Sequence, residues 1–274
     1  MTIFFRARPA FIALTVAFAL PLLASCGSDQ TAKDQYKEQS VEELYNSAMD
    51  QLNDREYDKA AKAFDEVERQ HPYSVWATKA QLMAAYAHYE KNEFDDAIVA
   101  LDRFIQLHPS HKDVAYAYYL KALCYYEQIA DVRRDQKMTA NALKTLQEIV
   151  SRFPNSRYAR DARLKIDLAR DHLAGKEMDI GRYYERQHNY LAAINRYRTV
   201  VENYQTTTHV PEALHRLVEC YESLGLNDEA QKTAAVLGYN YPGSKWYSDS
   251  YGLVEGQSAA SDQKKDGGWF SWLW

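Results

Sequence analysis

Two stretches decide the fold: Ala60-Ala61-Lys62-Ala63-Phe64-Asp65-Glu66-Val67-Glu68-Arg69-Gln70-His71-Pro72 and, 37 residues on, Ala97-Ile98-Val99-Ala100-Leu101-Asp102-Arg103-Phe104-Ile105-Gln106-Leu107-His108-Pro109. Each opens on alanine, carries an apolar residue four and seven positions later, and ends in proline twelve positions on. The frame returns at Ala142–Pro154 and Ala230–Pro242, and at Ala193 with Gln205 in place of proline. Apolar residues at that spacing lie on one face of a helix. Proline closes it, because proline lacks an N–H and pushes the preceding residue out of helical geometry. Five recurrences of one frame mark an internal repeat, so the chain is read as stacked units.

Twelve residues before the alanine stand Ala48, Ala85, Gly181 and Val218 in the four units that align without an insertion. Three are small, and Val218 departs. Small residues at both places let two helix axes approach closely, and the large residues fill the space toward the next unit. The pattern resembles the tetratricopeptide repeat. That resemblance implies an all-α chain: five helix pairs in a right-handed α-solenoid over residues 41–256. Two units are long. Unit three carries an excess of eight residues around Ile129–Lys137, read as a charged loop between its two helices. In unit four, Tyr158, Ala162, Ile166, Ala169 and Leu173 keep a helical period. A long first helix is expected there, and whether it runs on unbroken past Gly175 is left open by the residues.

Composition agrees. Of 274 residues 10 are Gly, 7 are Pro and 22 are Tyr, and no Gly falls between Gly27 and Gly175. Tight turns of a sheet protein need Gly for positive φ, so a sandwich or barrel is excluded and few special turns are expected. A hydrophobic content of 46% excludes a wholly disordered chain. The net charge of -5 speaks against nucleic-acid binding.

Residues 1–25 read as a secretory signal. Arg6 and Arg8 precede an apolar run from Phe11 to Leu23, and small residues follow. The run is short for a membrane span. Leu23-Ala24-Ser25-Cys26 resembles the bacterial lipobox, which implies lipidation of Cys26 and a membrane anchor of several acyl chains. Gly27, and not Asp, follows the cysteine; by resemblance to enteric sorting this implies the outer membrane. Residues 26–40 then form a lipidated linker. At the other end, residues 257–274 read as a flexible tail closing in Trp269, Phe270, Trp272 and Trp274, suited to a membrane interface, a partner, or the protein's own surface.

No catalytic motif is present: no His-Glu-x-x-His, Gly-x-Ser-x-Gly, P-loop or Gly-x-Gly-x-x-Gly. No cofactor or metal is expected; His108 and His111 flank Pro109 in a turn without further ligands. Cys124 and Cys220 lie in separate units, too far apart to bridge, and are read as buried thiols.

In the tetratricopeptide frame, positions 2, 5, 9, 12 and 13 of the first helix face a concave groove. The first three units place Tyr45, Tyr86, Tyr89, Tyr116, Tyr119 and Tyr126 there, with Leu and Met neighbours. Units four and five place Arg182, Glu185, Arg186, Glu212, His215, Glu219 and Glu222 there. An aromatic half-groove suits an extended apolar peptide, since Tyr gives contact area at low entropy cost. About half of these rings are expected to be ordinary core between neighbouring helices.

Three longer stretches resemble the BamD family: Asp102-Arg103-Phe104-Ile105-x-Leu107-x-Pro109, Phe153-Pro154-Asn155-Ser156-x-Tyr158, and Tyr183-Tyr184-x-Arg186 with Tyr190-x-Ala192-Ala193-Ile194-Asn195-Arg196. The resemblance covers roughly residues 20 to 252. Departures are a shorter unit-three loop, Gln205 and the Trp-rich tail. It implies a non-enzymatic lipoprotein subunit of the outer-membrane β-barrel assembly machinery. Its implied partners are the periplasmic domains of BamA, held by the later repeats with Asn195 and Arg196 in contact, the other lipoproteins of the complex, and unfolded outer-membrane proteins, met by the first repeats. The competing readings are a repeat lipoprotein that organises cell-wall or envelope-constriction enzymes, and an enzyme with an unrecognised site.

Overall fold

The computed structural model describes residues 39–266, with side chains through residue 255. Cys26, the signal segment and the Trp-rich end lie outside the described residues. Among the described residues every regular element is a helix. In chain order these are α1 (Val41–Asn53), α2 (Tyr57–Gln70), α3 (Val75–Glu90), α4 (Phe94–Leu107), α5 (Val114–Tyr126), α6 (Lys137–Arg152), α7 (Arg157–Arg186), α8 (Tyr190–Asn203), α9 (Val210–Ser223), α10 (Asn227–Asn240) and α11 (Lys245–Asp266). Each helix packs on its neighbour in sequence, and α1, α3, α5 and α7 also pack one on the next, so the first helices of successive pairs form one layer. This is the five-pair solenoid expected from the repeat, closed by α11 against α9 and α10.

The second helices end alike. His71, His108, Phe153 and Tyr241, each preceding a proline, have φ between -128° and -135° and ψ between 53° and 58°. Tyr204 precedes Gln205 and still has φ -127° and ψ 41°. The stop is therefore set by packing as well as by proline. Two residues after three of these prolines a serine caps the next helix: Ser74 accepts from the amides of Trp76 and Ala77, Ser156 from Ala159, and Ser244 from Tyr247. At the fourth, His111 Nδ1 takes that role toward the amide of Asp113.

Within each pair the crossing is tight. At Gly181 an added Cβ would stand 2.4 Å from the ring of Tyr197, which is wholly buried. Ala48 shares its core with Phe64, Ala85 with Leu101, Ala122 with Leu146, and Val218 with Ala234. The departure at Val218 is thus matched by a small partner.

α7 is continuous for 30 residues through Gly175, whose missing Cβ leaves room for His209 and Val132. Two expectations need correction. α11 runs to Asp266 although 257–268 reads as a linker; between Gly256 and Gly267 there is no Gly or Pro, and Ala, Gln and Lys sustain a helix. The scarcity of Gly does not mean ordinary turns. The turns within pairs use left-handed residues at Arg55 (φ 62°), Asn92 (φ 65°), His188 (φ 58°) and Gly225 (φ 74°), and only the last is glycine.

Two stability predictions follow from this geometry. Gly181→Ala costs about 1–3 kcal/mol by overpacking, and combining it with Tyr197→Leu costs less than the two changes added, in a double-mutant cycle of urea midpoints. Arg55→Gly, at an exposed side chain without a partner, raises stability by about 1 kcal/mol by relieving the left-handed backbone.

Candidate functional site

The six groove tyrosines are all half-buried and none is ordinary core, whereas Tyr118 of α5 and Tyr197 of α8 are buried. Tyr45 leans on Phe64 (5.5 Å between ring centres) and Trp76 (4.8 Å). Tyr86 and Tyr89 stand 6.4 Å apart and nearly parallel, with Phe94 5.9 Å from Tyr89. Tyr116 and Tyr119 both face Tyr158, at 5.6 and 5.1 Å. Tyr126 is separate, with the Lys165 ammonium 5.0 Å from its ring centre.

A cavity of about 490 Å³ opens among these rings, lined by Tyr45, Lys79, Leu82, Met83, Asp113, Tyr116, Arg157 and Tyr158. Sequence reasoning placed Tyr45 and Tyr116 in the groove and missed Arg157 and Tyr158. The signal was available: α7 starts about five turns before the repeat frame of unit four, right after the Ser156 cap, and so sets Arg157 and Tyr158 beside α5. Two cations meet the cavity. Lys79 Nζ lies 4.6 Å from the Trp76 ring centre, and Arg157 donates to the Tyr158 hydroxyl at 2.7 Å.

The hydroxyls are anchored to acids. Tyr119 donates to Asp161 at 2.5 Å, and burial together with that bond pushes its phenol up. Burial, then the neighbouring Tyr86, Tyr158, Glu90 and Tyr89, raises Tyr116. The bond to Glu90, then burial, raises Tyr86 from 10.0 to about 12. These phenols therefore remain neutral donors across the physiological range.

The second half of the groove is charged, and Arg182, Arg216, Glu185, Glu212 and Glu219 pair among themselves. Arg182 pairs with Glu212 at 2.9 Å, Arg216 with Glu219 at 2.7 Å and with Glu185 at 3.7 Å, and the Tyr197 hydroxyl donates to Glu185 at 2.6 Å. Burial raises Glu185; at Glu219 the same burial is outweighed by His215 and Arg216, and the net direction is down. Arg196 is half-buried and pairs with Glu177 at 3.1 Å, while Asn195 beside it is exposed.

His215, nine-tenths covered, has Nδ1 2.8 Å from Ser250 Oγ and Nε2 3.5 Å from Glu219. Ser250 has no exposed surface and Trp246 lies against the imidazole at 5.2 Å, so this trio fastens α11 to α9 and leaves no room for a substrate. Cys124 and Cys220 are free and buried, each thiol raised to about 12 by burial. His108 bonds Gln81 at 3.0 Å and packs on Phe104. The residues that approach one another closely enough to share a metal, among those described, are His88, Glu93 and Asp96; there Glu93 already holds Lys91 at 2.6 Å. No described helix is long and apolar enough to cross a membrane.

Stacked helix pairs of one repeated frame define an all-α solenoid of the tetratricopeptide type. Residues 37–237 match the family model described as YfiO: Outer membrane lipoprotein. A relative from Caulobacter vibrioides named outer membrane protein assembly factor BamD is 50% identical over 250 residues, 91% of this chain and 82% of its own. Proteins of the same name from Rickettsia prowazekii (48%, 85% of this chain and 92% of that one) and Neisseria meningitidis serogroup A (36%, 88% and 94%) also match. Among solved structures, the TPR2AB domain of yeast Sti1 aligns over 82% of this chain and 86% of its own, at 12% identity and a TM-score of 0.42. The chain belongs to the BamD family of outer membrane lipoproteins.

The phenols give a pH prediction. A neutral Tyr86 held by Glu90 contributes stability that is intact below 10.0 and is lost as pH rises through about 12. Tyr86→Phe removes one step near pH 12 from the phenolate absorbance titration and flattens the fall in stability over that window.

Proposed function

We propose that this chain serves outer-membrane protein assembly, the process for which its BamD relatives are named, as a non-catalytic, lipid-anchored subunit facing the periplasm. Lipid on Cys26, exposed by removal of residues 1–25, anchors it to the outer membrane. The first three repeats hold unfolded outer-membrane proteins; the later repeats hold the periplasmic domains of BamA, and the other lipoproteins of the complex join this core. No cofactor takes part.

The observation that carries the client half is the cavity lined by Tyr45, Tyr116 and Tyr158 with Lys79 and Arg157 at its wall. A chain that ends in an aromatic residue presents a ring and a carboxylate together, which these rings and two cations complement. The BamA half rests on the family resemblance around Asn195 and Arg196. A partner carboxylate there exchanges with Glu177 for the Arg196 guanidinium, which makes that contact competitive with an intrachain pair.

Site-directed photocrosslinking in cells tests both halves: a probe at position 89 captures client chains and one at position 196 captures BamA. Tyr89→Ala and Tyr119→Ala reduce crosslinking to a C-terminal barrel peptide severalfold while the helical circular dichroism is retained. Undiminished crosslinking in folded variants defeats the client reading. Recovery of peptidoglycan enzymes without BamA from detergent extracts defeats the assembly reading.

A further inference from the structure

A second cavity, of about 440 Å³, lies where the α5–α6 loop meets the last turns of α7, lined by Arg133, Asp179, Ile180, Tyr183, Tyr184 and Arg186. The loop is fixed in place. Lys176 Nζ donates to the carbonyl of Arg133 at 2.9 Å, and Val132 lies over Gly175, where a Cβ would come within 3.4 Å of its methyl. Tyr183 and Tyr184 meet edge to face at 5.7 Å, and Tyr183 keeps 55% of its surface exposed.

Neither the Arg133 nor the Arg186 guanidinium has an ion-pair or hydrogen-bond partner among the described residues, and Asp179, the sole acid of the lining, pairs with neither. One turn away Arg182 is held by Glu212, and on α9 Arg216 is surrounded by Glu185, Glu212 and Glu219. The chain carries more acids than bases, 38 against 33, yet two unsatisfied guanidiniums converge on one aromatic hollow. Guanidinium forks bind carboxylates in a bidentate manner, and the faces of Tyr183 and Ile180 offer an apolar shelf beside them.

We propose that this cavity is a docking site for an acidic segment of a partner protein. The segment places an Asp or Glu carboxylate between Arg133 and Arg186 and an adjacent apolar side chain on Tyr183 and Ile180. A peptide supplies both groups from one backbone; a phosphate or a lipid headgroup engages only the guanidiniums and leaves the shelf bare. The site is separate from the tyrosine cavity of the first repeats and from Arg196, so it stands or falls independently of the client reading.

The test uses the whole mature chain and a dye-labelled peptide Glu-Leu-Glu-Phe-Glu, followed by fluorescence anisotropy. Its glutamine counterpart, inorganic phosphate and phosphatidylglycerol vesicles serve as the other probes. The combined Arg133→Gln and Arg186→Gln variant weakens acidic-peptide binding by about tenfold or more, since two charge-assisted bonds are lost, and reduces its salt dependence. Tyr183→Ala weakens binding and leaves the salt dependence unchanged, and Arg198→Gln, on the far helix, changes neither. Equal binding of the glutamine peptide, undiminished binding by the folded double variant, or preference for phosphate or vesicles overturns the proposal.

Discussion

The solenoid depends on one contact, the crossing of the two helices within each pair. The residue on the first helix and the one it meets on the second vary in opposite directions: Gly181 with Tyr197, Ala48 with Phe64, Ala85 with Leu101, Ala122 with Leu146, Val218 with Ala234. Their combined bulk changes far less than either member. Packed interiors tolerate exchange of this kind and resist a net gain or loss of volume. A constant separation within pairs lets the next pair stack in the same register. The groove inherits its spacing from that register, and Tyr116 and Tyr119 of α5 come close enough to Tyr158 of α7 to face it.

α7 turns this regular stack into two unlike halves. Its first turns place Ala162 and Ile166 in a core with Val114, Tyr118, Leu146 and Ile149, while its later turns place Ala174 and Met178 in a core with Tyr197, Val210 and Leu214. One continuous helix therefore belongs to both cores and holds them in fixed relation. The aromatic cavity gains Arg157 and Tyr158 from the start of α7, and the ion-pair network gains Arg182 and Glu185 from its end. Had the helix broken at Gly175, the two halves would be joined by a loop.

Much of this was legible in the residues themselves. The alanine–proline frame fixed the pairs and placed the second helices correctly, because small side chains and a missing N–H act locally. The tyrosines were readable as a face for the same reason. Arg157 and Tyr158 escaped because the frame of unit four aligns on Gly181 and Ala193, and the preceding turns have no counterpart in the other units. The left-handed turns at Arg55, Asn92 and His188 escaped because composition announces such a conformation only where it is filled by glycine, as at Gly225. The Arg196–Glu177 pair was not legible because Glu177 lies on another helix, and a pairing across helices is set by packing.

Tyrosine, and not phenylalanine, fills the first half of the groove for a reason the geometry supplies. Each ring offers a face of contact area, but a ring free to turn would lose entropy when a chain settles against it. Here Tyr119 is tied to Asp161, Tyr86 to Glu90, and Tyr158 to Arg157. Those bonds hold the rings in position before any chain arrives, so less ordering is left to do on binding. Phenylalanine would lack the tether. The same acids raise the phenols and keep them protonated, which leaves neutral ring faces in place of phenolate charge. Ring faces carry little sequence information, and under the proposed client role a groove built from them would recognise the aromatic and extended character of a chain more than its order of residues. That tolerance is what a subunit with many different unfolded clients would require.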